Sequence, residues 1–168
     1  MSPHQMPLLL VRHAVAEDTH PLGDEARALT AEGRAAFRTH ARKLARLTPM
    51  VGIVTSPLVR AVQTAEILAE AFGLSRVEVH PALRPRARAP KRILRLAREL
   101  GAGWMLVGHN PSLARAGCLA LDMDELPDKL RKGAALALHP EGRGKHFSFA
   151  WLAAPGRYLQ RAEDLHGA

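Results

Sequence analysis

Three times in this chain a short apolar run opens onto basic or imidazole side chains. Leu8-Leu9-Leu10-Val11 leads into Arg12, His13 and Ala14. Val51-Gly52-Ile53-Val54-Thr55-Ser56 leads into Pro57 and Arg60, and Trp104-Met105-Leu106-Val107 leads into Gly108, His109 and Asn110. Runs of this kind lack the polar alternation of a half-solvated sheet and read as strands buried on both faces, the pattern of a parallel sheet covered by helices. An open sheet of that type holds its ligand outside the carboxyl ends of its strands. Arg12, His13, Arg60 and His109 are therefore expected to converge on one anion site.

Helical patterns fill the intervals. Thr30 reads as the N-cap of a helix to about residue 47, with Phe37, Ala41, Leu44 and Ala45 on one face. Ser56-Pro57 and Asn110-Pro111 each read as a cap followed by a proline in the first helical position, starting helices at 57 and 111. Gly73 is expected to stop the first of these, whose buried face is Ala61, Ala65, Leu68, Ala69 and Phe72, and Leu121 to end the second. A short strand over 76–80 precedes an irregular segment from Pro81 to Pro90. Pro90 opens a helix with Ile93, Leu96, Ala97 and Leu100 inward. Residues 134–138 and 146–152 read as an antiparallel hairpin at the sheet edge, followed by a polar, partly loose tail from Ala153. The fold class expected is α/β, a three-layer α/β/α sandwich around a mixed, mostly parallel sheet, with residues 1–168 as one domain.

Composition narrows the function classes. An apolar fraction of 47% and a charged fraction of 24% are those of a soluble globular protein. No apolar run is long enough to span a bilayer, and residues 1–7 offer neither a basic nor an apolar signal region, so the cytoplasm is the expected compartment and no membrane partner is. A net charge of +8 and a pI near 10.7 favour anionic partners. The basic stretch from Arg84 to Arg98 has no interleaved aromatics for base stacking and no nucleic-acid-binding motif. It reads as a solvated face, with the steering of an acidic partner as a second reading. Cys118 reads as a small core residue. His4, His20, His40, His80, His139, His146 and His166 show no metal-ligand spacing and read as surface residues.

The chemistry follows from the residue types. Two guanidiniums suit bidentate clamping of a phosphoryl group, and helix N-termini add free N–H groups. A histidine among arginines has its pKa lowered by like charge, which keeps the imidazole neutral and nucleophilic. The arginines supply the positive charge, so no metal and no cofactor is called for.

Val11-Arg12-His13-Ala14, the segment Thr55 to Ala65 with Arg60 at its centre, and Val107-Gly108-His109-Asn110-Pro111 resemble the three signature motifs of the histidine phosphatase superfamily, whose fold is phosphoglycerate-mutase-like. Length and the element Arg27-Ala28-Leu29-Thr30 are most similar to its small phosphohistidine phosphatase branch, typified by SixA. The resemblance implies that His13 is the nucleophile that becomes phosphohistidine and that Arg12, Arg60 and His109 hold the transferred group. Arg27 is either a rim contact for substrate or a solvated charge. Two departures stand out: Ala14 replaces the usual glycine, and no carboxylate lies between Glu78 and Glu99, where mutases and many phosphomonoesterases of the family carry a proton donor. An alkoxide leaving group needs that proton; an imidazole, with a pKa of about 6.5, leaves a phosphoramidate with little help. The expected function is a metal-independent phosphatase working on protein phosphohistidine. A phosphatase of small phosphate esters on the same site, or a non-catalytic phosphate-binding regulatory module, are the alternatives. Glu17 and Asp18 read as loop acids or as partners of Arg12 and Arg27, with a swing into the site as proton donor as the other role.

Overall fold

The computed structural model describes residues 6–157 and 160–161; His4, His166 and the end of the expected tail lie outside the described residues. The elements run β1 (Leu8–Arg12), α1 (Ala31–Leu47), β2 (Gly52–Thr55), α2 (Val59–Phe72), β3 (Glu78–Val79), α3 (Ala89–Leu100), β4 (Trp104–Gly108), α4 (Ser112–Leu121), β5 (Ala135–Glu141), β6 (His146–Ala153) and β7 (Gln160–Arg161), with single 3-10 turns at Asp24–Ala26 and Pro81–Leu83. Among the described residues one sheet forms, in the order β3-β2-β4-β1-β5-β6-β7. The strands β1 to β4 are parallel to one another, and β5, β6 and β7 continue antiparallel.

The unbroken apolar character of β1 has a direct consequence. Side chains alternate across a strand, so Leu9 and Val11 enter one core with Phe37, Leu44, Ala65 and Leu68 of α1 and α2. Leu8 and Leu10 enter the other core with Ile93, Leu96, Leu113 and Ala116 of α3 and α4. Helices thus cover both faces, giving the expected three-layer sandwich. The winding reverses beside β1 and β4, and that reversal opens a crevice above their carboxyl ends. Register levels those ends: Arg12 lies opposite Gly108, and Thr55 opposite Val107. One residue further along, His13 and His109 leave adjacent strands together.

Local signals place α1 well. The Thr30 side chain accepts from the Gly33 N–H, and Gly73 closes α2 in the left-handed region at φ 68°. Both expected proline starts are displaced. The helix α2 begins at Val59, not Pro57, and α4 at Ser112, not Pro111. Ser56 Oγ still accepts from the Leu58 N–H at 3.3 Å and also lies 2.7 Å from His109 Nε2. Asn110 instead donates from Nδ2 to the Leu130 carbonyl, and its Oδ1, the capping atom, has no hydrogen-bond partner among the described residues.

Several smaller expectations also change. The β5–β6 hairpin is not the edge, because β7 pairs with β6, and Ala153 and Ala154 are buried where a loose tail was expected to begin. His40 is not a surface residue. It is 4% exposed, on the face of α1 whose apolar residues define the core, and its ring packs 6.0 Å from Phe37. Burial, then the Lys43 charge, pushes its pKa down to about 4, against a backbone hydrogen bond at Ala153. Cys118 is half-buried and outside both cores, and burial raises its pKa, as in an unreactive thiol. No helix among the described residues is long and apolar enough to cross a membrane.

Candidate functional site

Arg12, His13, Arg60 and His109 line one hollow above the ends of β1, β2 and β4. His13, Arg60 and His109 are 7%, 4% and 3% exposed, and the two imidazole rings sit 5.2 Å apart, tilted by 53°. Arg27 also lines the hollow, as do Asp24, Lys132 and Pro85.

Backbone contacts hold the end of β1 from several sides. The N–H of Arg12 donates to the Ala134 carbonyl, and that of His13 to the Gly108 carbonyl. The N–H of Gly133 donates to the Arg12 and His13 carbonyls, at 3.0 Å each. Gly133 does so at φ 79°, and a Cβ there would meet Pro155 Cγ at 2.9 Å, so glycine is required. The next N–H, that of Ala14, donates to Thr64 Oγ1 at 3.0 Å, and Thr64 in turn donates to the Arg60 carbonyl. One hydroxyl therefore ties the loop carrying His13 to the turn of α2 carrying Arg60.

Hydrogen bonds define the imidazoles. His13 Nδ1 lies 2.7 Å from the Ala14 carbonyl. A carbonyl only accepts, so Nδ1 carries the proton and Nε2 presents its lone pair when the ring is neutral. Burial, with the Arg60, Arg12 and Lys132 charges behind it, pushes the His13 pKa down to about 4 despite that hydrogen bond. His109 is pushed down to about 3, by burial first and then by His13 and Arg60. The direction agrees with the sequence expectation, but burial rather than like charge is the larger cause.

The guanidiniums are only partly satisfied. Arg12 donates from Nη1 to the Leu130 carbonyl at 3.3 Å, while Arg60 donates to the Asp24 carbonyl at 2.9 Å and pairs with Asp24 Oδ2 at 3.2 Å. The Nε atoms of both arginines, and Nδ1 of His109, are buried without a protein partner. The hollow itself is lined by Arg12, Arg27, Arg60 and Lys132, whose positive charge suits it to receive an oxyanion.

Asp24 also lines the hollow, a carboxylate that the sequence does not single out. Its carboxylate joins Arg60 to Arg27, whose Nε lies 2.9 Å away. Burial pushes its pKa up, but the Arg60 and Arg27 charges outweigh this and hold it below the usual carboxylate range. Its spacing of three residues from Arg27 was the available signal; its reach to Arg60 depends on how the loop closes. Glu17 and Asp18 do not line the hollow. Glu17 Oε2 accepts from the Ala28 N–H, and its carbonyl, not its carboxylate, accepts from Arg27. Arg84 pairs with Glu25 at 2.6 Å, which draws the segment after β3 over the hollow and leaves Pro85 as its lining residue.

Comparison with known proteins bears on the fold and the family. The profile of the histidine phosphatase superfamily (branch 1) matches residues 8–89. An uncharacterised protein of Picosynechococcus sp. is 37% identical over 113 residues, covering 64% of this chain and 68% of that one. The crystal structure of a candidate phosphohistidine phosphatase SixA from Agrobacterium tumefaciens superposes with a TM-score of 0.71 at 26% identity, over 90% of this chain and 99% of that one. The protein histidine phosphatase SixA complexed with tungstate gives 0.76 at 24% identity, over 89% and 97%. A mycobacterial glucosyl-3-phosphoglycerate phosphatase shares the fold at 0.60 and 22% identity, over 79% and 89%. The three strand-end motifs, the sandwich that gathers them and these similarities lead to one assignment: the chain belongs to the histidine phosphatase superfamily and is a phosphatase.

Proposed function

We propose that this phosphatase removes the phosphoryl group from phosphohistidine on a protein, through a phosphohistidine of its own at His13. His13 Nε2 attacks phosphorus as the bond from phosphorus to the substrate nitrogen breaks. The substrate imidazole, protonated on its other ring nitrogen, departs neutral with that electron pair. Water then attacks the phosphorylated His13, and inorganic phosphate leaves with the imidazole restored. Arg12 and Arg60 hold the non-bridging oxygens, and their charge serves without a metal. Ser56 Oγ already accepts from the Leu58 N–H, so its proton is free to be donated to His109 Nε2. His109 then donates from Nδ1 to the same phosphoryl group. Arg27 acts at the rim.

The observation that carries this reading is the convergence of the Arg12 and Arg60 guanidiniums and a neutral His13 on one hollow. The choice of phosphohistidine is supported by the leaving group. Asp24, the carboxylate in the hollow, is held ionised and has no proton to give, and the segment after β3 contributes Pro85 rather than an acid. An imidazole leaves without such help, an alkoxide does not. The tungstate bound by one structural neighbour is a tetrahedral oxyanion of the same shape.

The test is turnover of a phosphohistidine protein beside a panel of sugar phosphates and nucleotides, with an acid-labile, base-stable label sought on His13 after incubation with phosphoramidate. Fast ester hydrolysis with failure on phosphohistidine establishes the small-ester alternative, which the shared fold of the glucosyl-3-phosphoglycerate phosphatase favours. Phosphate binding without any label on His13 establishes a binding module.

A further inference from the structure

The hollow around His13 does not stand alone. It shares Arg12, Asn110 and Lys132 with a groove whose walls include Pro111, Ala114, Leu126 and Pro155. That groove shares Arg115 and Cys118 with a second one, which lies against α3. The three depressions form one track from the strand ends, across α4, to the basic face of α3.

Charge along the track is one-sided. The first groove carries Lys129, Arg131, Lys132 and Arg157 against Glu125 and Asp128, and Asp128 is already engaged by Arg157 and Arg131 at 3.8 and 4.0 Å. The second carries Arg88, Lys91, Arg92 and Arg95 against Asp124, with Arg115 at the junction. Of these, Arg88, Lys91, Arg92, Arg95 and Arg115 have no ion-pair partner among the described residues. Between the charges lie two large apolar side chains open to solvent, Leu119 at 48% and Met123 at 40%. Neither groove is lined by an aromatic residue. A single-stranded nucleic acid wants flat rings for its bases, whereas carboxylates spaced by aliphatic side chains match unpaired arginines interleaved with Leu119 and Met123.

We propose that this track docks an acidic, leucine-containing segment of the phosphorylated partner protein and so presents the partner's phosphoryl group to the His13 hollow. The proposal rests on the reading of His13 as the acceptor of a protein-borne phosphoryl group. It also gives the basic stretch from Arg84 to Arg98 a task beyond solvation.

The experiment uses the full chain and a fluorescein-labelled peptide of alternating Glu and Leu, followed by anisotropy. A Lys–Leu peptide and a single-stranded RNA of equal length serve as comparators. Arg92 and Arg115 are exposed and outside the hollow, so the double variant R92E/R115E should hydrolyse an aryl phosphate at the normal rate. It should bind the Glu–Leu peptide about tenfold more weakly, because two attractions become repulsions, and the wild-type affinity should fall with salt. With a phosphohistidine placed in each peptide, wild type should prefer the acidic one, and the variant should lose that preference through KM. Equal binding of the Lys–Leu peptide, affinity unchanged in the variant, or tighter RNA binding lost with the same substitutions overturns the proposal. A wrong reading of the substrate looks different: neither phosphopeptide is hydrolysed, while the Glu–Leu peptide still binds and still loses affinity in the variant.

Discussion

Replacing Asp24 by asparagine should tighten the hold of the hollow on phosphate. The Asp24 carboxylate lies 3.2 Å from Arg60 Nη2 and 2.9 Å from Arg27 Nε, and its side chain is 64% exposed against 5% for that of Arg60. A phosphoryl group reaching the buried guanidinium therefore meets a solvent-exposed negative charge already seated there. Asparagine keeps the shape and the hydrogen-bond acceptor but removes the charge. Ion pairs with one solvated partner are worth about 0.2–1 kcal/mol, so inorganic phosphate should bind about 1.4- to 5-fold more tightly to the variant. Competitive inhibition by phosphate measures this, and the gain should shrink as ionic strength rises. Unchanged or weaker phosphate binding in the variant would refute the competition and make Asp24 a support that positions Arg60. The same variant tests proton donation: phosphoramidate hydrolysis should persist, and a selective loss on an alkyl phosphate would reveal Asp24 as an acid.

His13→Ala should abolish turnover and labelling, and Arg60→Ala should cost about 2–4 kcal/mol of transition-state stabilisation, read as kcat/KM on an aryl phosphate. Thr64→Val leaves the buried Ala14 N–H without its acceptor and should cost about 1–3 kcal/mol in denaturant unfolding, while Thr64→Ser restores the bond. The buried His13, His40 and His109 have folded pKa values pushed to about 4, about 4 and about 3, below the unfolded value near 6.5. The unfolded chain then binds more protons, so stability is fully present above pH ~6.5 and falls as pH drops through ~6.5 to ~4, by up to about 1.4 kcal/mol per pH unit for each histidine. Melting temperature against pH measures it, and His40→Leu, outside the hollow, should flatten the slope.

Much of the fold was legible because it rests on local rules. Apolar runs short enough for strands, helical spacing of Phe37, Ala41 and Leu44, the cap at Thr30 and the stop at Gly73 all act within a few residues of themselves. The misplaced helix starts show where such rules end. Ser56 and Asn110 are good caps in isolation, but each is also drawn across the fold. Ser56 Oγ reaches His109 while it keeps the Leu58 N–H, and Asn110 reaches the Leu130 carbonyl through Nδ2, with its Oδ1 left without a partner among the described residues. His40 was misread for a similar reason: a polar residue type suggested solvent, and its place on the buried face of α1 overrode it.

The linear chain by itself determined which side chains meet at the hollow, because Arg12, His13 and His109 stand at the end of an apolar run and Arg60 in the first turn of the helix that follows one, and strand ends are where such sheets open. Only the tertiary structure decided how those side chains are held. Asp24 reaches Arg60 across 36 residues, Thr64 reaches Ala14 across 50, and Ser56 reaches His109 across 53. Contacts of that span depend on loop closure and sheet register, which no local pattern encodes. They set how Arg60, His13 and His109 are placed around the hollow, while the free nitrogen of His13 is decided next door, by the Ala14 carbonyl.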